Sequence, residues 1–151
     1  MKKTALFPGS FDPFTNGHKD IVIRGLSIFD HIVIGIGYNT AKKRYFDIDM
    51  MVNKVKLAFE HEPNVSVEAF DTLTSDFAKL KNAKYLLRGL RNTSDLEYEN
   101  TIAQANKYIN KDLETFFLIT SPEYAALSST VVREMHKYGV NIDKFLPYNL
   151  S

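Results

Sequence analysis

The sequence predicts an α/β protein with one doubly wound domain, residues 1–151, built on a five-stranded parallel sheet. Three observations favour this fold. Short β-type runs alternate along the chain with segments of helical periodicity. Runs such as HIVIGIG and KYLLRG are apolar on both faces, as strands of a parallel sheet covered on both sides must be. Neither a linker nor a repeat interrupts the pattern, so right-handed crossovers would join the strands into one sheet.

The five predicted strands are short and rich in Val, Ile, Leu, Phe and Tyr, and most of them end at turn residues. They cover residues 4–7, 31–38, 65–70, 84–87 and 115–120.

Between the strands, apolar residues recur with the period of an amphipathic helix. The sequence therefore predicts four helices. Their stripes are Ile21, Val22, Gly25, Leu26 and Phe29; Ile48, Met51, Val52, Val55 and Phe59; Tyr98, Ile102, Ala105 and Ile109; and Val131, Val132, Met135 and Tyr138.

Composition excludes several classes of function. The chain has no cysteine, so it can form neither a disulfide nor a thiolate metal site. Its 19 Lys and Arg nearly balance its 18 Asp and Glu, so we expect no nucleic-acid or membrane partner and only a local anion site. The N-terminal MKKTALFPGS has too few apolar residues for a signal peptide, which predicts a soluble cytoplasmic protein.

The stretch GSFDPFTNGH follows the first predicted strand, where ligands of open α/β sheets bind. Gly9 allows backbone angles closed to other residues, and Ser10 adds a hydroxyl. With Asn16 as the N-cap, Gly17 and His18 fall in the first turn of the next helix, whose free N–H groups attract phosphate. The alternative is that His18 is an ordinary solvated residue at a helix start.

Other predicted strands end in groups that bind anions, at the same edge of the sheet. Together they indicate a ligand rich in negative charge, for which a nucleoside triphosphate is the obvious candidate. Because the chain lacks G-x-x-x-x-G-K-[ST], it must hold phosphates without a P-loop. The cations are Lys42, Arg88, Arg91 and Arg133, and the hydroxyl residues that open the last helix are Ser128, Ser129 and Thr130.

Four separated motifs, GSFDPFTNGH, AKK at 41–43, RGLR followed by DLEYE, and SSTVVRE, resemble the bacterial phosphopantetheine adenylyltransferase family in order and spacing. The resemblance covers nearly the whole chain. It implies a Rossmann-like nucleotidylyltransferase fold, usually assembled as a homohexamer, and transfer of the adenylyl group of ATP to 4'-phosphopantetheine. The implied products are dephospho-coenzyme A and pyrophosphate, and the implied metal is Mg²⁺, with no metal-ligating residue assigned.

The resemblance also implies roles for individual residues. His18, Lys42 and Arg91 would be catalytic, and His18 would stabilise the transition state at the ATP phosphates. The implied acceptor-binding residues are Ser10, Lys42, Leu73, Thr74 and Arg88. The implied ATP-binding residues are Ser10, Phe11, His18, Gly89, Leu90, Arg91, Glu99, Tyr124, Ala125, Ala126, Leu127, Ser128, Ser129 and Thr130.

The segment FDIDMMVNK departs from the F-[ST]-x-E-E-R pattern of many relatives, because Met51 stands where they have arginine. If that arginine supports the loop bearing Lys42, we expect a softer loop in this chain.

The residues suit a reaction without a general base. A phosphate monoester has a second pKa near 6, so the acceptor is already largely dianionic at neutral pH. His18 then acts as a hydrogen-bond donor, and its charge state stays open, because a helix N-terminus disfavours imidazolium and a triphosphate favours it. Two alternatives remain: adenylyl transfer to another phosphate monoester such as nicotinamide mononucleotide, or a nucleotide-binding domain without chemistry.

Overall fold

The computed structural model describes residues 1–150 and contains a five-stranded sheet in the order β3-β2-β1-β4-β5, with every neighbouring pair parallel. The predicted fold class is confirmed. Observed strand ends differ from the predicted ones by up to three residues, chiefly because β1 and β4 run further toward their carboxyl ends. The strands are β1 (Thr4–Gly9), β2 (His31–Gly37), β3 (Val65–Phe70), β4 (Tyr85–Leu90) and β5 (Glu114–Ile119).

Five α-helices connect or follow the strands, and the four predicted ones are all present. They are α1 (Asn16–Gly25), α2 (Ile48–Ala58), α3 (Thr74–Leu80), α4 (Thr93–Ile109) and α5 (Ser129–Lys137), with 3₁₀ turns at Pro122–Tyr124 and Asp143–Phe145. Helix α3 was not predicted, because its seven residues bury only two apolar side chains, Phe77 and Ala78, too few to show a period.

Alternate residues of the central strands point to opposite faces of the sheet, and each face has its own core. One face carries the even-numbered Leu6 and Leu86, which pack with Phe77 of α3. The other face packs against α1, α2 and α5. Its core includes Ala5, Phe7, Ile32, Ile34, Ile36 and Leu87 from the strands, with Ile21, Val22, Met51, Val55 and Val132 from the helices. The strands are thus apolar on both faces because both faces are covered.

Helix α4 forms as predicted, but its apolar stripe does not face the core. Tyr98 is 67% exposed and Ile109 is 52% exposed, whereas the buried residues of α4 are Glu99 and Asn106. Periodicity locates a helix but cannot tell which face the rest of the protein covers. The helix instead turns a polar face inward, toward β4.

The strand order reverses between β1 and β4, because the chain first builds outward through β2 and β3 and then crosses to β4 and β5. Loops after β1 and β4 therefore diverge and leave a crevice at the carboxyl edge of the sheet. Within residues 1–150, no helix is long and apolar enough to cross a membrane.

Candidate active site

Two cavities open at the carboxyl ends of β1 and β4. The smaller, of about 390 Å³, lies toward α1 and the start of α5, and the larger, of about 490 Å³, lies toward the loop after β2. They share one wall, made of Gly9, Ser10, Arg88 and Glu99. The site therefore has two compartments separated only by a few side chains.

Most residues assigned from the sequence line one of these cavities. Around the smaller cavity lie Ser10, Phe11, His18, Gly89, Arg91, Glu99, Tyr124, Leu127, Ser128, Ser129 and Thr130. Around the larger lie Ser10, Lys42, Thr74 and Arg88. Four assigned residues, Leu73, Leu90, Ala125 and Ala126, line neither cavity. Leu73 precedes α3 with 59% of its surface exposed, and its neighbours Thr72 and Thr74 line the larger cavity.

The imidazole of His18 is held by the loop that precedes its own helix. Its Nδ1 accepts the backbone N–H of Thr15 at 2.9 Å, in a capping-box arrangement in which Thr15 is the N-cap. The prediction of Asn16 as the cap was wrong by one residue, and the Asn16 side chain donates to the Lys144 carbonyl instead. Because Nδ1 accepts a hydrogen bond, the ring proton is on Nε2, the tautomer that leaves Nε2–H as the donor of the ring.

The electrostatic setting of His18 answers the question of its charge in the free protein. Burial, with the positive charges of Arg88 and Arg91, lowers the pKa of His18 from 6.5 to about 3. Aromatic rings surround it, with the centroids of Phe11 and Phe14 at 4.9 and 5.2 Å. The imidazole is therefore neutral at physiological pH and acts as a donor without carrying charge.

Gly9 has a different role from the one predicted. It does not adopt a positive φ; Phe11 does, with a φ of 44°. A Cβ on Gly9 would lie 2.8 Å from the Phe11 ring, so glycine is required for that ring to cover the strand end. The Phe11 ring therefore lies over Gly9, where the sequence predicted backbone open to a ligand.

Arg88 and Glu99 form an ion pair on the shared wall. Nε donates to Oε2 at 2.9 Å and Nη2 to Oε1 at 2.5 Å, while Nη1 donates to the Pro8 carbonyl. Glu99 is 7% exposed, so the arginine compensates a buried carboxylate. This pair orients the guanidinium between the two cavities.

Arg91 is held in the smaller cavity by Asp95, which also accepts the Arg91 backbone N–H at 2.9 Å. Burial would raise the pKa of the Asp95 carboxyl, but hydrogen bonds from Arg91 and the charges of Arg91 and Arg88 outweigh burial and hold it below its usual value. Asp95 lies in the DLEYE motif but was not singled out. Asp95 holds the Arg91 side chain against the N-terminus of α4.

The start of α5 closes the smaller cavity with hydroxyl groups. Ser128 caps the helix by accepting the Val131 N–H at 3.2 Å, and Ser129 donates to the Pro13 carbonyl at 2.7 Å. Arg133 does not line either cavity, contrary to the prediction of four cations around one crevice. It donates to the Asp12 carbonyl at 2.7 Å, which ties α5 to the loop after β1.

Sequence reasoning placed Arg44 in a cationic loop but assigned it no role, whereas in the structure it links the loops after β1 and β2. Its guanidinium donates to the carbonyls of Ser10 at 2.6 Å, Phe11 at 3.2 Å and Phe46 at 3.0 Å. Asp12 lies 3.7 Å from it and accepts two backbone N–H groups of the second loop. Arg44 thereby ties the loop that bears Lys42 to the loop after β1. Only its place beside two lysines could have singled out Arg44.

Within the described residues, no three His, Asp or Glu side chains come together in a group that could hold a metal ion. The two carboxylates of the smaller cavity, Asp95 and Glu99, are each paired with an arginine. The larger cavity combines the exposed Lys42 with apolar side chains, among them Phe70 and Leu86. One compartment thus suits a polyanion, and the other suits an anion attached to a partly apolar arm.

The profile of the cytidylyltransferase-like family matches residues 6–135, which include all the residues that line the two cavities, so the chain is a nucleotidyltransferase. Within that class, the chain belongs to the phosphopantetheine adenylyltransferase family. It is 55% identical over 150 residues to the phosphopantetheine adenylyltransferase of Cytophaga hutchinsonii, covering 99% of this chain and 100% of the relative. It is 44% identical to that of Vesicomyosocius okutanii, covering 100% and 96%.

A solved structure shows the same fold at low sequence similarity. It is a bifunctional NMN adenylyltransferase/ADP ribose pyrophosphatase from Francisella tularensis, complexed with AMP and a manganese ion, with a TM-score of 0.73 and 16% identity. The match covers 99% of this chain and 45% of that one, so this chain spans less than half the length of that enzyme.

Proposed function

We propose that this protein transfers the adenylyl group of ATP to 4'-phosphopantetheine, producing dephospho-coenzyme A and pyrophosphate. The observation that carries the proposal is the wall shared by two cavities of different character. ATP would occupy the smaller cavity, where the N-termini of α1 and α5 meet Arg91. The acceptor would occupy the larger cavity, with its phosphate near Lys42 and Arg88 and its arm along Phe70 and Leu86.

The chemical step needs positioning and charge stabilisation more than proton transfer. An oxygen of the acceptor phosphate forms a bond to the α-phosphorus of ATP. The bond from that phosphorus to the oxygen bridging the β-phosphate breaks, and pyrophosphate leaves with the electron pair. The acceptor is largely dianionic at neutral pH, so no residue has to remove a proton.

His18 would donate Nε2–H to an α-phosphate oxygen as that oxygen gains charge. Its Nδ1 is engaged by Thr15 and its pKa is near 3, so it neither removes nor supplies a proton during the reaction. An oxyanion hole works in the same way, because its hydrogen-bond donors are already oriented toward the atom that gains negative charge in the transition state.

Arg88 would contact the acceptor phosphate from the shared wall, where Glu99 already orients it. Lys42 projects from an exposed loop and supplies a second charge to the same phosphate. Ser10 lies on the shared wall and reaches both substrates. Arg91 would hold the ATP phosphates.

Magnesium is the metal proposed for the reaction. Asp95 and Glu99 are occupied by arginines, so the phosphates of ATP and water would hold the ion, as they commonly do. When bound, the ion supplies positive charge to the leaving pyrophosphate.

The protein would act in the cytoplasm as a homohexamer. Exposed apolar side chains on α4 and the edge strand β5 support assembly with further copies, because patches of this kind mark contact surfaces. They include Leu96, Tyr98, Tyr108, Ile109, Phe116 and Ile119. Sedimentation equilibrium should give a mass six times that of the chain, and a monomeric mass would contradict this assignment.

The function is tested by pyrophosphate release from Mg-ATP with 4'-phosphopantetheine, nicotinamide mononucleotide or unphosphorylated pantetheine. Release is expected only with 4'-phosphopantetheine, because pantetheine lacks the nucleophile. Release only with the mononucleotide would retain adenylyl transfer but overturn the acceptor. If calorimetry detects ATP binding but none of the three acceptors causes pyrophosphate release, the protein is a nucleotide-binding domain without chemistry.

A further inference from the structure

Tyr148, in the segment that follows the last 3₁₀ turn, contacts the loop that carries the active-site histidine. Its hydroxyl donates to the Phe14 carbonyl at 2.7 Å. Phe14 is fully buried, and Tyr148 lies 134 residues away along the chain, so only the folded protein brings the two together.

The same peptide unit also binds His18. The carbonyl of Phe14 and the N–H of Thr15 belong to one planar peptide group, and that N–H donates to His18 Nδ1 at 2.9 Å. Tyr148 and His18 therefore hold the two ends of a single peptide. A hydrogen bond accepted by a peptide carbonyl polarises the N–H of that peptide and strengthens the bond it donates.

We propose that Tyr148 is a positioning residue for His18, because its hydroxyl orients the Phe14–Thr15 peptide that fixes the imidazole with its proton on Nε2. This inference rests on the adenylyl-transfer function proposed above, in which Nε2–H is the working donor. Tyr148 touches neither cavity, so it acts only through the peptide.

The surroundings of Tyr148 favour a hydroxyl that always donates to Phe14. Burial raises the pKa of the Tyr148 phenol above its usual value, so it stays protonated. The hydroxyl also lies 3.3 Å from the sulfur of Met51, a weak acceptor that competes little for the proton, and the nearby negative charge of Asp12 also raises the pKa of the phenol. Met51 therefore leaves the phenol proton to the Phe14 carbonyl.

The test is Tyr148→Phe, which removes only the hydroxyl. We expect kcat to fall about threefold to tenfold, the worth of one hydrogen bond, while KM for ATP and for 4'-phosphopantetheine stays within about twofold. In nitrogen-15 NMR spectra of the imidazoles, the His18 Nδ1 resonance should move toward the value of a protonated nitrogen. The His18→Gln variant assigns that resonance among the four histidines.

Tyr138→Phe is the matched control, because Tyr138 is 80% exposed and loses the same hydroxyl at the surface. It should change neither kcat nor the His18 resonances. A Tyr148→Phe protein that loses stability in urea but keeps wild-type kcat and wild-type His18 resonances would overturn the positioning role. The NMR readout needs no turnover, so a shift in a protein that releases no pyrophosphate would support the positioning role and refute only the proposed function.

Discussion

Arg88 and Glu99 form a two-pronged ion pair on the wall between the two cavities, with Nε–Oε2 at 2.9 Å and Nη2–Oε1 at 2.5 Å. One side chain belongs to a strand and the other to the helix that follows it. The pair holds a positive charge at the place where the two substrates would meet. The pair also couples the stability of the protein to substrate binding, because removing either side chain leaves the charge of the other unpaired.

Removing Arg88 should have two separable effects. Arg88→Ala leaves the buried Glu99 carboxylate unpaired, so the free energy of unfolding should fall by about 1–3 kcal/mol in urea titrations. The double variant Arg88→Ala/Glu99→Gln should recover at least half of that loss, because the buried charge is gone as well. Affinity for 4'-phosphopantetheine, measured by calorimetry, should stay low in both. Recovery of affinity in the double variant would refute contact between Arg88 and the acceptor.

Replacing His18 should affect turnover more than binding or folding. We expect His18→Ala to lower kcat at least about tenfold, and up to about a thousandfold, because an oxyanion-type donor acts mainly in the transition state. ATP affinity should change by less than about threefold. Steady-state pyrophosphate release checks this, and a kcat within twofold of the wild type would show that His18 is not the donor.

The low pKa of His18 predicts how stability depends on pH. The unfolded histidine titrates near 6.5 and the folded one near 3, so between these values the unfolded chain binds the extra proton. The free energy of unfolding should therefore fall as pH is lowered from about 6.5 toward about 3. In His18→Gln this dependence should be weaker over the same window. Equal slopes in urea titrations of the two proteins would mean that His18 is not held neutral.

Arg44→Lys tests the link between the loops after β1 and β2. Lysine keeps the charge but lacks the planar fork that reaches Ser10, Phe11 and Phe46. KM for 4'-phosphopantetheine should rise about threefold to tenfold, with KM for ATP less affected, because the loop bearing Lys42 loses its anchor. Arg24→Lys is the control, since Arg24 also donates to a backbone carbonyl but lines neither cavity. Equal effects of the two changes would exclude a specific link.

Lys42 and Arg91 should affect different substrates. Lys42→Ala should weaken 4'-phosphopantetheine binding about tenfold and leave ATP binding nearly unchanged, whereas Arg91→Ala should do the reverse. Lys56→Ala removes an exposed charge on α2 and should alter neither. Calorimetry with each substrate separates these cases. Loss of ATP affinity in Lys42→Ala would show that this lysine contacts ATP and not only the acceptor.

The parts of the fold that sequence reasoning predicted are those encoded by neighbouring residues. β3 has its predicted bounds, 65–70, because a run of alternating apolar residues needs no distant information. The stripe of α2 lies in the core, where Met51 and Val55 are fully buried. Helix α3 is too short to show a period. The stripe of α4 is regular, yet its orientation depends on which surface the rest of the chain covers.

For the candidate site, local motifs identified most of the residues that line the cavities, but not the hydrogen bonds that orient their side chains. His18 was singled out from GSFDPFTNGH, whereas its tautomer depends on the N-cap being Thr15, a difference of one residue. Arg133 was placed among the phosphate-binding cations, although in the structure it binds the Asp12 carbonyl. A sequence shows that a cation is near an edge of the sheet but not which acceptor it will reach.

Local sequence is enough to specify the α/β class, the parallel sheet and the chemistry of the groups at its carboxyl edge, because periodicity and turn residues act over short stretches of chain. The tertiary structure decided that Arg88 and Glu99 form the wall between two cavities, that Arg44 joins two loops, and that Tyr148 reaches Phe14. These contacts depend on the strand order and on how each helix packs against the sheet. Both are set by the burial of apolar surface across the whole chain, which no local segment specifies.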